Sequence, residues 1–96
     1  MRELYDKVIE FRDERNWSAN HNEKDLAISI SLEANELLEN FQWKTSREAV
    51  ETARQDIKEE MADVLIYLIQ LADKMDVELE DEVYKKLEKN ARKYPK

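Results

Sequence analysis

Glu33-x-x-Glu36 and Glu60-x-x-Asp63 are the two places where this sequence sets paired carboxylates at a spacing that chemistry can use. Residues three apart on a helix face the same way, so each pair can present its oxygens to one ligand. Most of the 23 acidic residues must be solvated surface, and a carboxylate is informative only where the helical period places it beside apolar neighbours. Both pairs meet that condition. At about 100° per residue, Glu33 falls at the edge of the arc formed by Leu26, Ile30 and Leu37, with Glu36 beside it. Glu60 falls close to the direction of Ala53, Val64 and Leu71, with Asp63 one turn on and Tyr67 between them. No lysine or arginine shares either seam within a turn, and four anions without partners are severely costly to bury. A cation is the natural compensation. Only oxygen ligands are on offer and neither motif contains His or Cys, so the donor set suits a hard ion, Mg²⁺ with Mn²⁺ as a substitute. The di-iron bundle pattern requires Glu-x-x-His, which is missing. Any acidic helix contains Glu-x-x-Glu by chance, so one pair alone is weak evidence. Two pairs on the seams of two long helices are more specific, and the pattern by itself leaves a metal site and a charged bundle surface as its two readings.

The elements that must position these pairs are helices. Residues from Arg2 to about Asn16 place Leu4, Val8 and Phe11 at helical spacing. Trp17 to Asn22 is polar and aperiodic, a loop. A second helix is expected from about Glu23 to Trp43. Thr45-Ser-Arg-Glu48 has the capping-box pattern, so a third helix starts there and runs to about Met75. Its Val64–Ile69 stretch is apolar nearly all round, which suggests a subunit interface. Asp76–Glu78 breaks the pattern, and a fourth helix runs from about Leu79 to Lys93.

Composition narrows the class. The chain has no glycine and one proline, Pro95, so hairpins lack their usual turn residues and strands are not expected. At 96 residues, positions 1–96 read as one domain whose small core calls for help from oligomerisation, since it has no cysteines. A net charge of −7 without a basic stripe argues against DNA or RNA as partner. With no cysteine, no charged-then-apolar leader and no long uncharged apolar run, the expectation is a cytoplasmic protein with no membrane partner.

Three stretches in order complete the reading: Ser31-Leu-Glu33-Ala-Asn-Glu36-Leu-Leu-Glu39-Asn-Phe-Gln-Trp43, Glu59-Glu60-Met-Ala-Asp63-Val-Leu-Ile-Tyr67, and Lys86-Leu-Glu-Lys-Asn90-Ala-Arg-Lys93-Tyr94-Pro95. Together they resemble the MazG-like, all-α nucleoside triphosphate pyrophosphohydrolases, and within them the dCTP pyrophosphatase-like branch. The resemblance implies a four-helix bundle that assembles as a homodimer or homotetramer. It also implies hydrolysis of a nucleoside triphosphate to monophosphate and diphosphate, with Glu33, Glu36, Glu60 and Asp63 as catalytic metal ligands. Lys86, Asn90, Lys93 and Tyr94 match the family's polyphosphate contacts, and Trp17, His21 and Trp43 the positions that line its base pocket. Glu39 and Asp56, each near a seam, are candidate helpers. Asn35 and Asn22 depart from the residues common in relatives without removing a ligand. The competing expectations are a phosphoribosyl-ATP pyrophosphohydrolase-like enzyme, which shares the fold, and a helical interaction module without turnover.

Overall fold

The computed structural model describes residues 1–96. The chain is all-α: α1 (Arg2–Glu14), a 3-10 turn (Ser18–Asn20), α2 (Glu23–Glu39), α3 (Ser46–Thr52), α4 (Arg54–Lys74) and α5 (Leu79–Lys93). Local chemistry explains most boundaries. Asn22 caps α2 by accepting from the Asp25 N–H, and the Thr45 hydroxyl caps α3 by accepting from the Glu48 N–H at 3.1 Å. The same hydroxyl donates to Glu48 Oε1 at 3.0 Å, a variant of the expected box. With no glycine available, the left-handed positions after α1 and α4 fall to Asn16 and Asp76, residue types that tolerate it.

Two expectations are corrected. α2 ends at Glu39 rather than Trp43, because Asn40, Phe41 and Gln42 close tight turns onto Leu37, Leu38 and Glu39 and the Asn40 side chain donates back to the Glu36 carbonyl. The expected third helix is divided at Ala53 (φ −121°, ψ 24°), so the fold has five α-helices, not four. Beside the break, the Thr52 hydroxyl donates to the Glu48 carbonyl at 2.7 Å, a back-bond of the kind that bends helices.

The helix pair α2 and α4 forms the centre, with α1 and α3 packed against α4. Glu33 meets Glu60 along the two shafts, while Ser18, shortly before α2, receives a hydrogen bond from Lys74 at the end of α4. The two helices therefore run antiparallel. The core is thin: Leu26 and Ile69 are fully buried, with Ala49, Ala72 and Val8 around them. α1 is fastened to α4 largely by polar bonds. Arg12, itself buried, donates to Asp73 at 2.8 Å, and Tyr5 donates to the same carboxylate at 3.2 Å. Burial and then Asp73 push the Tyr5 hydroxyl up to about 12.

α5 packs along none of the other helices and buries no residue. Its start is tied to α1 by an Arg2–Glu78 ion pair at 2.7 Å. The radius of gyration is 15.9 Å, against about 12.5 Å for a folded domain of this length.

Candidate active site

One carboxylate oxygen from each of Glu33, Glu36 and Glu60 lies within 4.8 Å of the other two. Glu33 and Glu36 stand one turn apart on α2, and Glu60 reaches them from α4, so the principal helix pair holds the cluster in place. Asp63 is not part of that tight trio. It lies one turn further along α4, half-buried on the wall of the adjoining cavity.

The cluster is electrostatically unbalanced. No ion pair reaches any of the four carboxylates. Oε2 of Glu33 and Oε2 of Glu60 are buried without a hydrogen-bond partner. Burial, followed by the facing carboxylates of Glu60 and Glu36, pushes Glu33 up to about 7. Glu60 is raised too, by burial and then by Glu36 and Asp63, with Glu33 opposing. The Tyr67 hydroxyl is raised by burial and by the field of Glu33, Asp63 and Glu36, which places that ring beside the cluster. Orphaned carboxylate oxygens converging from two helices fit a hard, oxygen-loving cation, the donor set that Ca²⁺, Mg²⁺ and Mn²⁺ accept.

A cavity of about 720 Å³ opens beside the cluster, with Asp63 and Tyr67 on its wall. α4 lines it with a single stripe: Asp63, Ile66, Tyr67 and Gln70 follow one another at helical spacing. α1 supplies Lys7, Val8 and Phe11 opposite, and Trp17, Asn20 and His21 come from the segment around the 3-10 turn. The aromatic wall is ordered by its own contacts. Phe11 and Trp17 meet edge to face with centroids 5.7 Å apart, and the Arg15 guanidinium lies 3.5 Å over the Phe11 ring. A pocket of this size with apolar walls and a few polar groups suits a small organic ligand.

Of the residues expected at a base pocket, Trp17 and His21 line this cavity and Trp43 does not. Trp43 sits after α2 with φ 64°, a strained conformation for a bulky side chain, and is 92% exposed. Lys86, Asn90, Lys93 and Tyr94 all lie on or just after α5, outside the cavity. Tyr94 is exposed and carries the Lys93 ammonium 5.4 Å over its ring. Glu39 is exposed and takes a hydrogen bond from Asn35 at 3.2 Å, and Asp56 is exposed in the first turn of α4. Phe11, Ile66 and Gln70 are cavity residues that the sequence reading did not single out. The signal for Gln70 is its position seven residues after Asp63, on the same helical stripe.

The chain is similar to known proteins. The dCTP pyrophosphatase 1 of Mus musculus is 38% identical and that of Homo sapiens 40% identical, each over 90% of this chain. The chain spans about half the length of these curated relatives, 54% in each. A crystal structure of a pyrophosphatase from Archaeoglobus fulgidus matches with a TM-score of 0.93 at 49% identity, covering 100% of this chain and 93% of that one. Residues 28–96, which contain both carboxylate pairs and the α4 wall of the cavity, match the MazG-like family. With that match and the full-length structural likeness, the chain belongs to the MazG-like family.

Proposed function

We propose that this chain hydrolyses a nucleoside triphosphate between the α- and β-phosphates, releasing a nucleoside monophosphate and diphosphate. The observation that carries the reading is the convergence of Glu33, Glu36 and Glu60, two of them with buried unpartnered oxygens, beside an aromatic-walled cavity. Glu33, Glu36, Glu60 and Asp63 would hold Mg²⁺, with Mn²⁺ as a substitute. When bound, that ion supplies positive charge to the phosphate oxygens and acidity to a water. A carboxylate of the quartet not engaged by the ion takes the attacking water's proton.

The cavity takes the nucleoside. The Trp17 indole offers a stacking face and His21 a hydrogen-bonding edge. The names of the dCTP pyrophosphatase 1 relatives support a dCTP-like or modified pyrimidine deoxynucleotide as the house-cleaning substrate. Trp43 is read as a further contact to the base, and Lys86, Asn90, Lys93 and Tyr94 as contacts to the polyphosphate.

Because those residues lie outside the cavity of their own chain, the reading includes a homodimer or homotetramer. Surface area supports it. The chain exposes 7622 Å², about 1,800 Å² more than a monomeric protein of its mass. Exposed Ile28, Leu32 and Leu38 on α2, Met61 and Leu65 on α4, and Val83 and Leu87 on α5 supply apolar surface for a partner copy. No helix is long and apolar enough to cross a membrane, and a cytoplasmic nucleotide pool is the proposed setting.

The test is incubation of the purified chain with nucleoside triphosphates and Mg²⁺, assaying diphosphate and orthophosphate separately. Diphosphate release, fastest with dCTP or a modified relative and reduced by about 10²-fold or more in Glu60→Gln, is expected. No turnover, release of orthophosphate, or full activity in Glu60→Gln would overturn the reading.

A further inference from the structure

Trp17, Asn20 and His21 reach the cavity from a segment that burial does little to hold. Asn16, Trp17, Ala19 and Asn20 are exposed, Ser18 and His21 are half-buried, and the 3-10 turn has no side-chain cap. The segment enters through Asn16 in the left-handed region (φ 58°) and leaves through Asn22, which caps α2. Its own backbone bonds are local: the Trp17 N–H donates to the Arg12 carbonyl at 3.2 Å and the Asn20 N–H to the Trp17 carbonyl at 3.1 Å. One hydrogen bond joins the segment to α4. The Lys74 ammonium donates to the Ser18 carbonyl, between Trp17 and Asn20.

Lys74 is the last residue of α4, half-buried, and it makes no ion pair in a chain with 23 acidic residues. Holding a lysine side chain in one place costs rotamer entropy, which a charged donor offsets because its hydrogen bonds are stronger than neutral ones. The helix that ends at Lys74 also carries Glu60 and Asp63, so this bond refers the segment to the same shaft as the carboxylates.

We propose that Lys74 is a positioning residue, which by holding the Ser18 carbonyl sets where Trp17 and His21 stand relative to the carboxylates on α4. The inference rests on the nucleotide reading above and adds to it a residue that lies outside the cavity. Lys74 is fourteen residues beyond Glu60, about 21 Å along α4 and past the screening distance of about 8 Å in physiological salt. Its charge therefore has little direct hold on the cluster, and its effect runs through the segment. A binding wall that spends only a fraction of its time in place weakens apparent affinity by that fraction. Once substrate is bound, the chemistry at the carboxylates proceeds as before, so KM carries the effect and kcat does not.

The experiment measures dCTP turnover with Mg²⁺ for the parent, Lys74→Met and Lys74→Cys. It also measures acrylamide quenching of Trp17 fluorescence, without nucleotide, for the same three chains in a Trp43→Phe background. The parent has no cysteine, so 2-bromoethylamine alkylates the introduced thiolate alone. That reaction forms a C–S bond with loss of bromide and returns an ammonium at lysine's length. Both variants are expected to raise KM about tenfold, the worth of one hydrogen bond to a charged group, with kcat within twofold and Trp17 more readily quenched. Aminoethylation of Lys74→Cys should restore KM and quenching together, a recovery that general loss of stability would not show. KM and quenching unchanged in both variants, or no recovery on aminoethylation, overturns the proposal and leaves parental turnover, and with it the hydrolase reading, standing. Quenching that rises and recovers in a chain whose parent turns over no triphosphate does the reverse.

Discussion

Arg12 on α1 and Asp73 on α4 meet at 2.8 Å, and this pair fastens one wall of the cavity to its floor. α1 brings Lys7, Val8 and Phe11 to the cavity, and Arg12 follows directly on the same helix. Arg12 is buried while Asp73 is about one-third exposed, so the pair lies between the surface and interior cases. Arg12→Ala should lower unfolding free energy by roughly 2–3 kcal/mol, less than the 3–5 kcal/mol of a fully buried pair. Urea denaturation measures it, and Asp73→Asn in the Arg12→Ala background should cost less than in the parent. A fully additive double mutant would show that the two residues are not coupled.

The carboxylate cluster makes a prediction about stability without ligand. Glu60→Gln removes one of several mutually repelling anions, so the metal-free variant should melt at or above the parent temperature. Adding millimolar Mg²⁺ should raise the melting temperature of the parent and leave the variant nearly unmoved. Equal Mg²⁺ stabilisation of both would remove Glu60 from the ligand set.

The pH dependence follows from Glu33, whose proton is held up to about pH 7 in the folded chain and released near 4.5 when unfolded. Between those values the folded state binds more protons than the unfolded one, so metal-free stability falls as pH rises across the window and levels off above it. Glu60 acts in the same direction. Metal binding displaces these protons, so Mg²⁺ affinity should rise over the same window to a plateau above about pH 7. Melting curves and metal titrations at steps of pH measure both slopes, and a metal affinity flat from pH 5 to 8 would contradict the assignment of Glu33.

Trp17 forms part of the aromatic wall, and Trp43 is the chain's other indole. In a Trp43→Phe background, nucleotide binding should therefore change the fluorescence of Trp17 alone. Trp17→Ala should raise KM by roughly tenfold, the value of one base–aromatic stack, while Mg²⁺ affinity in the absence of nucleotide stays within twofold. A loss of metal affinity of the same size would make Trp17 a structural residue.

Much of this was legible in the sequence wherever the determining physics is local. The cap at Thr45, the start of α5 at Leu79 and the all-helical character follow from spacing and composition. So does the shared face of Glu33 and Glu36, one turn apart on α2, whereas their meeting with Glu60 is fixed by the packing of α2 on α4. The break at Ala53 was hidden because it accompanies a choice by the Thr52 hydroxyl between solvent and the Glu48 carbonyl. Asp63 was expected inside the cluster and stands beside it, a matter of side-chain reach that periodicity does not measure. Gln70 follows the apolar run Val64–Ile69 and was passed over with it, because only the folded chain reveals that its oxygen has no partner. The position of α5 depends on packing absent from its own residues.

One helix, α4, runs without interruption from Arg54 to Lys74 and carries Glu60, Asp63, Tyr67 and Gln70 on one stripe. An unbroken helix is stiff along its axis, so the separation between its carboxylates and its amide is a fixed gauge length. Any adjustment to molecules of different breadth must then come from the opposite side, where α1 and the Ser18–Asn20 turn are held to α4 by Asp73 and Lys74. The cavity thus has a rigid rule along one side and, on the other, a wall whose distance from that rule is set by a few polar bonds, so its length and its width have separate determinants.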